Sequence, residues 1–113
     1  MKKIFLIITL LLSTYVYSQT QTFDISIPNA FTPNGDGIND KFSPSIFGHK
    51  QAIITIVNRM GVIVYKDIEG EGWDGTYKGT PCGESIYLYQ IDVIDTNDKR
   101  HTYYGTLLLL RSK

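Results

Sequence analysis

Residues 52–65 read AIITIVNRMGVIVY, and this stretch indicates the fold class. Residues 52–57 and 62–65 are rich in β-branched side chains, which are typical of strands. Between them, Asn58, Arg59 and Gly61 belong to a short turn, in which Gly61 is free to take a positive φ. The stretch therefore predicts a β-hairpin.

The same pattern continues towards both ends of the chain. Residues 23–27 alternate between apolar and polar side chains, and Pro28 ends that strand or places it at a sheet edge. Residues 86–94 (IYLYQIDVI) predict the longest strand, and residues 102–111 predict the last one. These two strands are predicted to form a second, long hairpin. Short strands separated by frequent turns predict a small immunoglobulin-like antiparallel β-sandwich of about seven strands, in one domain over residues 22–113.

A glycine-rich segment separates the two predicted hairpins. Residues 67–85 read DIEGEGWDGTYKGTPCGES, and Trp73 and Tyr77 are its predicted anchors on the core. In the strand that follows, alternation places Tyr87 and Tyr89 on the same face. We interpret these aromatic residues as packing groups of the core and of neighbouring strands.

The amino terminus has the layout of a secretory signal peptide. Lys2 and Lys3 precede the apolar run of residues 4–12, and small residues precede Gln19. The apolar run is shorter than the roughly 20 residues that a membrane-spanning helix needs. Residues 1–18 are therefore predicted to be a cleaved signal peptide.

Charge and cysteine content exclude several classes of protein. Removal of the predicted signal peptide leaves a net formal charge of −2, which argues against a nucleic-acid partner. Cys82 is the only cysteine, so no disulfide within the chain can support the fold. The stability of the domain must come from its hydrophobic core.

Residues 34–40 read NGDGIND and concentrate oxygen-bearing side chains between glycines. Calcium prefers six to eight oxygen ligands, and it is the one cofactor that the sequence suggests. An EF-hand-like calcium loop has a carboxylate at its first and last ligand positions. This chain has Thr32 and Ser43 there, so any affinity for calcium should be weak. The alternative is a turn that caps its own backbone. The candidate calcium ligands are Asn34, Asp36, the Ile38 carbonyl and Asp40.

The sequence contains no pattern of catalytic groups. His49 and His101 are far apart along the chain, and neither accompanies Cys82 in a nucleophile signature. Asp36 and Asp40 lie in a glycine-rich segment that gives no reason for a raised pKa. We therefore predict that the protein is not an enzyme and has no small-molecule substrate.

Four segments resemble one known family in the same order. Residues 28–42, PNAFTPNGDGINDKF, resemble the opening signature of the gliding-motility-associated C-terminal domain. This is the type B C-terminal sorting domain of the type IX secretion system of Bacteroidota. Residues 56–61 (IVNRMG, with Met where the family usually has Trp), residues 72–79 (GWDGTYKG) and the closing strands from residue 81 to Arg111 resemble the later motifs.

The resemblance implies a non-catalytic sorting module. Such a domain is carried through the periplasm to the cell surface or medium, and its implied partners are outer-membrane components of the PorP/SprF kind. The implied recognition or loop residues are Asn29, Phe31, Thr32, Pro33, Asn34, Gly35, Asp36, Gly37, Asn39 and Asp40. The implied structural residues are Asn58, Arg59, Gly61, Trp73, Asp74, Gly75, Tyr87, Tyr89, Gly105 and Arg111.

Two other functions remain open from the residues alone. One is a small extracellular calcium-dependent adhesive or structural module. The other is an assembly module of the flagellar-hook-cap type, which lacks the segment at residues 33–40. The family domain usually follows a long passenger, whereas only residues 19–22 precede it here. The sequence does not determine the oligomeric state.

Overall fold

The computed structural model describes residues 22–68 and 71–111. The predicted signal peptide, residues 1–18, lies outside the described residues. Within the described ranges no helix is long and apolar enough to span a membrane. The secondary structure of these ranges is entirely β, as the sequence predicts.

The described residues form nine strands, several of them only two or three residues long. Their bounds are β1 Asp24–Ser26, β2 Ala30–Phe31, β3 Ser45–Phe47, β4 His49–Val57, β5 Ile63–Ile68, β6 Thr76–Tyr77, β7 Thr80–Pro81, β8 Ser85–Asp95 and β9 Arg100–Leu109.

Five of these strands form the main sheet, in the order β2-β9-β8-β4-β5. The long strand β8 lies at its centre. β8 pairs antiparallel with β9 from Ser85↔Leu109 to Ile94↔Arg100, without a register shift. On its other side β8 pairs antiparallel with β4, whose residue Val57 lies opposite Leu88.

The core lies on one face of this sheet, so the molecule is a small two-layered sandwich. The covering layer contains the antiparallel β1–β3 ribbon, the segment between β2 and β3, and the segment before β6. Strand alternation supplies the sheet's side of the core, as predicted for the face of β8 that carries Tyr87. The buried apolar residues are Phe31, Phe42, Ala52, Ile54, Ile56, Val64, Trp73, Tyr87, Ile91, Val93, Leu107 and Leu109.

The two predicted hairpins are confirmed. β4 and β5 pair antiparallel with a register shift between Ile56 and Val57. Gly61 in their turn has a φ of 84°. β8 and β9 form the long final hairpin.

The glycine-rich segment differs in part from the prediction. It contains a short antiparallel hairpin, β6–β7, in addition to loops. Trp73 is an anchor with only 1% of its surface exposed, but the prediction for Tyr77 is wrong because this side chain is 37% exposed. Tyr77 lies in the two-residue strand β6, where Lys78 Nζ lies 5.2 Å from its ring centroid.

The strand β2 was not predicted. It pairs in parallel with the end of β9, at Ala30↔Leu108 and Phe31↔Leu109. A two-residue strand paired with a distant segment leaves no alternation pattern to read. The described strand pairs of the sandwich are therefore antiparallel with this one exception.

Candidate recognition surface

The recognition loop, residues 29–42, begins on the edge of the main sheet. Leu108 N–H donates to the Asn29 carbonyl over 2.9 Å, and Leu110 N–H donates to the Phe31 carbonyl over 3.1 Å. Because β2 runs parallel to β9, the loop emerges beyond the C-terminal end of β9. Its starting point is fixed by the sheet.

The predicted Asx and glycine residues of the loop are brought together and hydrogen-bond the backbone. Asp40 Oδ1 accepts from Gly35 N–H at 3.0 Å, and Asp40 Oδ2 accepts from Gly37 N–H at 2.7 Å. Asp36 Oδ1 accepts from Ile38 N–H at 2.9 Å. These side chains therefore cap the turns of their own loop. This is the arrangement that the sequence analysis gave as the alternative to a calcium site.

The remaining loop contacts close its base. Thr32 N–H donates to the Asn39 carbonyl over 2.8 Å, and Asn34 Oδ1 accepts from Asp36 N–H at 3.1 Å. Asn39 has a positive φ of 52°, a conformation that Asn tolerates better than most residues. At the tip, Ile38 is 66% exposed. The loop thus holds an apolar side chain outside the fold on a fixed backbone.

An aromatic cluster lies under the recognition loop. The rings of Phe31 and Trp73 lie 5.4 Å apart, and Trp73 meets Tyr87 edge-on at 5.0 Å. The backbones of Phe42 and Trp73 exchange hydrogen bonds of 2.8 and 3.0 Å. Trp73 Nε1 donates to the Thr76 carbonyl at 2.9 Å. Trp73 therefore connects both ends of the loop to the core.

Arg111 connects the loop to the closing segments. Its Nε and Nη2 donate to the Cys82 carbonyl at 2.9 and 2.7 Å, and Nη2 also donates to the Gly75 carbonyl at 3.0 Å. Nη1 lies 3.5 Å from the Pro33 carbonyl. The planar guanidinium is suited to such a set of acceptors. The predicted supporting position of Arg111 thus has a geometric basis.

We name the hydrogen bonds of the Arg111 guanidinium the Arg111 clamp. The segment at Asp74 and Gly75 packs closely against it. Asp74 Oδ1 accepts from Thr76 Oγ1 at 2.7 Å and from Thr76 N–H at 3.0 Å. The hydrogen bond from the Thr76 hydroxyl is the main cause that lowers the pKa of Asp74. Gly75 has a φ of 83°, and a Cβ there would lie 3.1 Å from the Pro33 side chain. A larger residue at this position would therefore strain the backbone and displace the loop.

The β4–β5 turn lies at the same end of the sheet as the recognition loop. Asn58 Oδ1 accepts from Met60 N–H at 2.9 Å and from Val62 N–H at 3.0 Å, which fixes the turn. Arg59 is exposed, and Met60 is 88% exposed. Sequence reasoning treated this turn as structural only, although it presents an apolar side chain next to the loop-bearing end.

Tyr89 and Gly105 form a matched pair across β8 and β9. A Cβ at Gly105 would lie 2.4 Å from Tyr89 Oη, so the tyrosine ring occupies the space that the glycine leaves free. The Tyr89 ring also lies 5.6 Å from that of Phe42. This pair therefore supports the far end of the recognition loop.

The candidate catalytic groups are not assembled into a site. Burial raises the pKa of the Cys82 thiol, which disfavours a thiolate nucleophile. His101 Nε2 instead lies 2.8 Å from Asp95 Oδ2. Across residues 22–68 and 71–111, no group of three or more His, Cys, Asp or Glu side chains is arranged to hold a metal ion. The calcium ligands that we predict from the sequence stay a prediction.

The cluster around Asp95 was missed by sequence reasoning. Asp95 is 5% exposed, and its Oδ1 accepts from the N–H groups of Asn97 and Lys99. The ring of His101 stacks on Phe23 with centroids 4.1 Å apart. This cluster joins the start of the domain to the β8–β9 turn, and only the Asx-rich sequence of that turn signals it.

These features define a small β-sandwich with an exposed, internally hydrogen-bonded loop and no assembled catalytic site among its described residues. The family model of the type IX secretion signal domain matches residues 25–109. The chain therefore belongs to the type IX secretion signal domain family. No curated protein and no solved structure matches the chain. Membership makes the domain a secretion module that interacts with the type IX machinery and directs export towards the cell surface or medium.

Proposed function

We propose that the folded domain is recognised as a non-catalytic sorting signal by the outer-membrane translocon, through a component of the PorP/SprF kind. The chain reaches the periplasm by means of its signal peptide, and the translocon then carries it outwards. The observation that supports this proposal is the recognition loop. Its ends are fixed by β9 and Trp73, while the Ile38 side chain projects into solvent.

A rigid loop is suited to recognition because it does not have to be ordered when it binds. Freezing a flexible segment lowers affinity, and preorganisation removes that cost. The Asp40 carboxylate fixes Gly35 and Gly37 before any partner arrives. Ile38 then supplies the apolar area and Met60 lies at the same end of the sheet, where a partner surface would cover both.

The proposal is tested by sorting of a reporter. A fluorescent protein is inserted between residues 18 and 23, and the fusion is expressed in a strain with the type IX translocon and in one without it. We expect delivery to the surface or medium in the first strain and periplasmic retention in the second. Retention in both strains, or delivery in both, would contradict the proposal.

Two loop variants separate contact from scaffolding. Ile38→Ser removes the exposed side chain but keeps the backbone hydrogen bond to Asp36, so we expect lower delivery from a fusion of unchanged stability. Asp40→Ala removes two backbone caps and should lower both. Lys66→Ala, an exposed change on β5, is the matched control that should alter neither.

A further inference from the structure

Strand β9 is the outermost long strand on one side of the main sheet. The two-residue strand β2 pairs with only the end of the outer edge of β9. β2 pairs with β9 at Leu108 and Leu109. No other described strand pairs with β9 on the side away from β8. We name residues 100–106 the open edge; at about 3.3 Å per residue it is roughly 20 Å long.

The backbone groups on the open edge follow from strand geometry. Leu108 N–H points away from β8, because it donates to the Asn29 carbonyl. Alternate residues of a strand direct their N–H and C=O groups to the same side. Thr102, Tyr104 and Thr106 therefore present theirs along the open edge, and these groups have no backbone partner among the described residues.

The two edges of the main sheet differ in protection. Monomeric proteins protect edge strands with charges, prolines or bulges, because an unprotected edge pairs with other chains. β5 carries Lys66 and Asp67, and its pairing with β4 contains a register shift. The open edge has neither proline nor acidic residue, and its only Lys or Arg is Arg100, at its first position; the pairing of β9 with β8 is regular.

The open edge selects the shape of its occupant. A helix satisfies its backbone groups internally, whereas an extended strand offers donors and acceptors at the spacing of β9. Beyond Arg100, residues 101–106 of the edge carry no Lys, Arg, Asp or Glu side chain that could pair with a charge, which favours an uncharged strand. Such a strand would run up to β2, where the recognition loop begins, so both surfaces are reachable by one partner.

The side chains beside the edge add an apolar surface. Tyr104 is 73% exposed and Leu88 is 47% exposed. With Thr55 and Val57 they line a shallow groove of about 200 Å³ on the outer face of the sheet. A partner strand added to β9 would place every second side chain on this face, with one of them next to Tyr104.

We infer that the open edge accepts an extended, uncharged strand from a component of the export machinery, which thereby extends the main sheet by strand addition. This inference rests on the proposed function and specifies how the partner is held. Backbone pairing supplies the affinity, while the recognition loop and the Tyr104 groove select the partner.

The test uses the reporter fusion with substitutions on the edge. Thr106→Pro removes an N–H that points outward and leaves the pairing with β8 intact, which is an arrangement in which an edge strand accepts proline. Thr106→Val keeps the N–H and is the matched control. A tenfold change in affinity corresponds to about 1.4 kcal/mol, which is the size of one hydrogen bond. We therefore expect Thr106→Pro to lower delivery about tenfold and Thr106→Val to leave it unchanged.

A second pair protects the test against misfolding. Tyr104→Lys places a charge on the open edge, and Ile63→Lys places the same charge on the outer face of β5, where the side chain is 49% exposed. We expect retention for Tyr104→Lys alone. Circular dichroism of the purified full-length variants verifies folding.

The outcomes separate this inference from the proposed function. Normal delivery of folded Thr106→Pro and Tyr104→Lys fusions refutes strand addition and leaves the sorting role intact. Retention of the unsubstituted fusion refutes both. A concentration-dependent dimer that Tyr104→Lys abolishes would assign the edge to a second copy of this chain and would also overturn the inference.

Discussion

The Arg111 clamp gives the most direct test of how the recognition loop is supported. Its guanidinium donates to the Cys82 and Gly75 carbonyls at 3.0 Å or less and approaches the Pro33 carbonyl. Arg111→Ala removes all these contacts. It leaves carbonyls that water reaches only in part, because the site is half-buried.

The size of the effect follows from these contacts. Hydrogen bonds to charged groups contribute about 1.5–3 kcal/mol each when buried. Two acceptors are contacted at short distance, and partial exposure reduces the contribution of each. We therefore expect Arg111→Ala to lower the free energy of unfolding by about 2 kcal/mol, which for a domain of this size lowers the melting temperature by roughly 10 °C.

Thermal and urea unfolding followed by circular dichroism measure this change. Arg111→Lys keeps the charge but lacks the planar fork, so it should recover less than half of the loss. Arg100→Ala is the matched control, because Arg100 is exposed at the other end of β9. A loss for Arg111→Ala no larger than that of the control would refute the clamp.

Substitutions at three further contacts probe the fold. Trp73→Ala should cost about 3–5 kcal/mol in unfolding free energy, measured by urea titration. Trp73→Phe should cost less than that but more than the about 1 kcal/mol of the indole hydrogen bond, because the smaller ring also leaves a cavity. Gly105→Ala should destabilise the domain, and Tyr89→Ala should relieve that clash in a double-mutant cycle. The hydrogen bond with His101 is the main cause that lowers the pKa of Asp95 below 3.8. The ionised carboxylate therefore stabilises the fold above that pH, and its contribution declines as the pH falls through the lowered pKa of the folded state. Asp95→Asn should lower stability at neutral pH and weaken the acid-side decline in a pH series of melting temperatures.

Local patterns were sufficient to predict the two hairpins but not which other strands pair with them. The β-branched runs around Gly61 and the alternation of residues 86–94 specify strands and turns within a few residues of one another. The pairing of β2 with β9 joins Phe31 to Leu109, and neither residue carries a local sign of the other. The open edge follows from that short pairing and was equally invisible in the sequence.

The recognition site was predictable in composition and not in mechanism. The Asn, Asp and Gly residues at 34–40 indicated an ordered loop, and the structure shows which carboxylate caps which amide. The contacts of Arg111 depend on three segments that meet only in the folded chain. The family resemblance implied a structural role for Arg111, but nothing in the local sequence indicates which carbonyls it contacts.

Calcium dependence separates the two interpretations of the recognition loop. Both Asp40 oxygens already accept one backbone N–H group each, which uses half of their acceptor capacity, and the described residues group no three His, Cys, Asp or Glu side chains around a cation. We therefore expect the same melting temperature in 5 mM CaCl₂ and in EDTA, measured on the purified protein. Asp40→Asn should lower stability by about 1 kcal/mol in both buffers, since it removes one cap.

A calcium site would give a different pattern. Binding stabilises the folded state in proportion to the logarithm of the ligand concentration over Kd, so saturation by millimolar calcium would raise the melting temperature. A rise that magnesium does not reproduce, and that Asp36→Asn abolishes, would show that the loop binds calcium. Unchanged melting of the parent with destabilised Asp40→Asn would show that the carboxylate acts as a backbone cap, and that the loop is ordered before any partner or ion arrives.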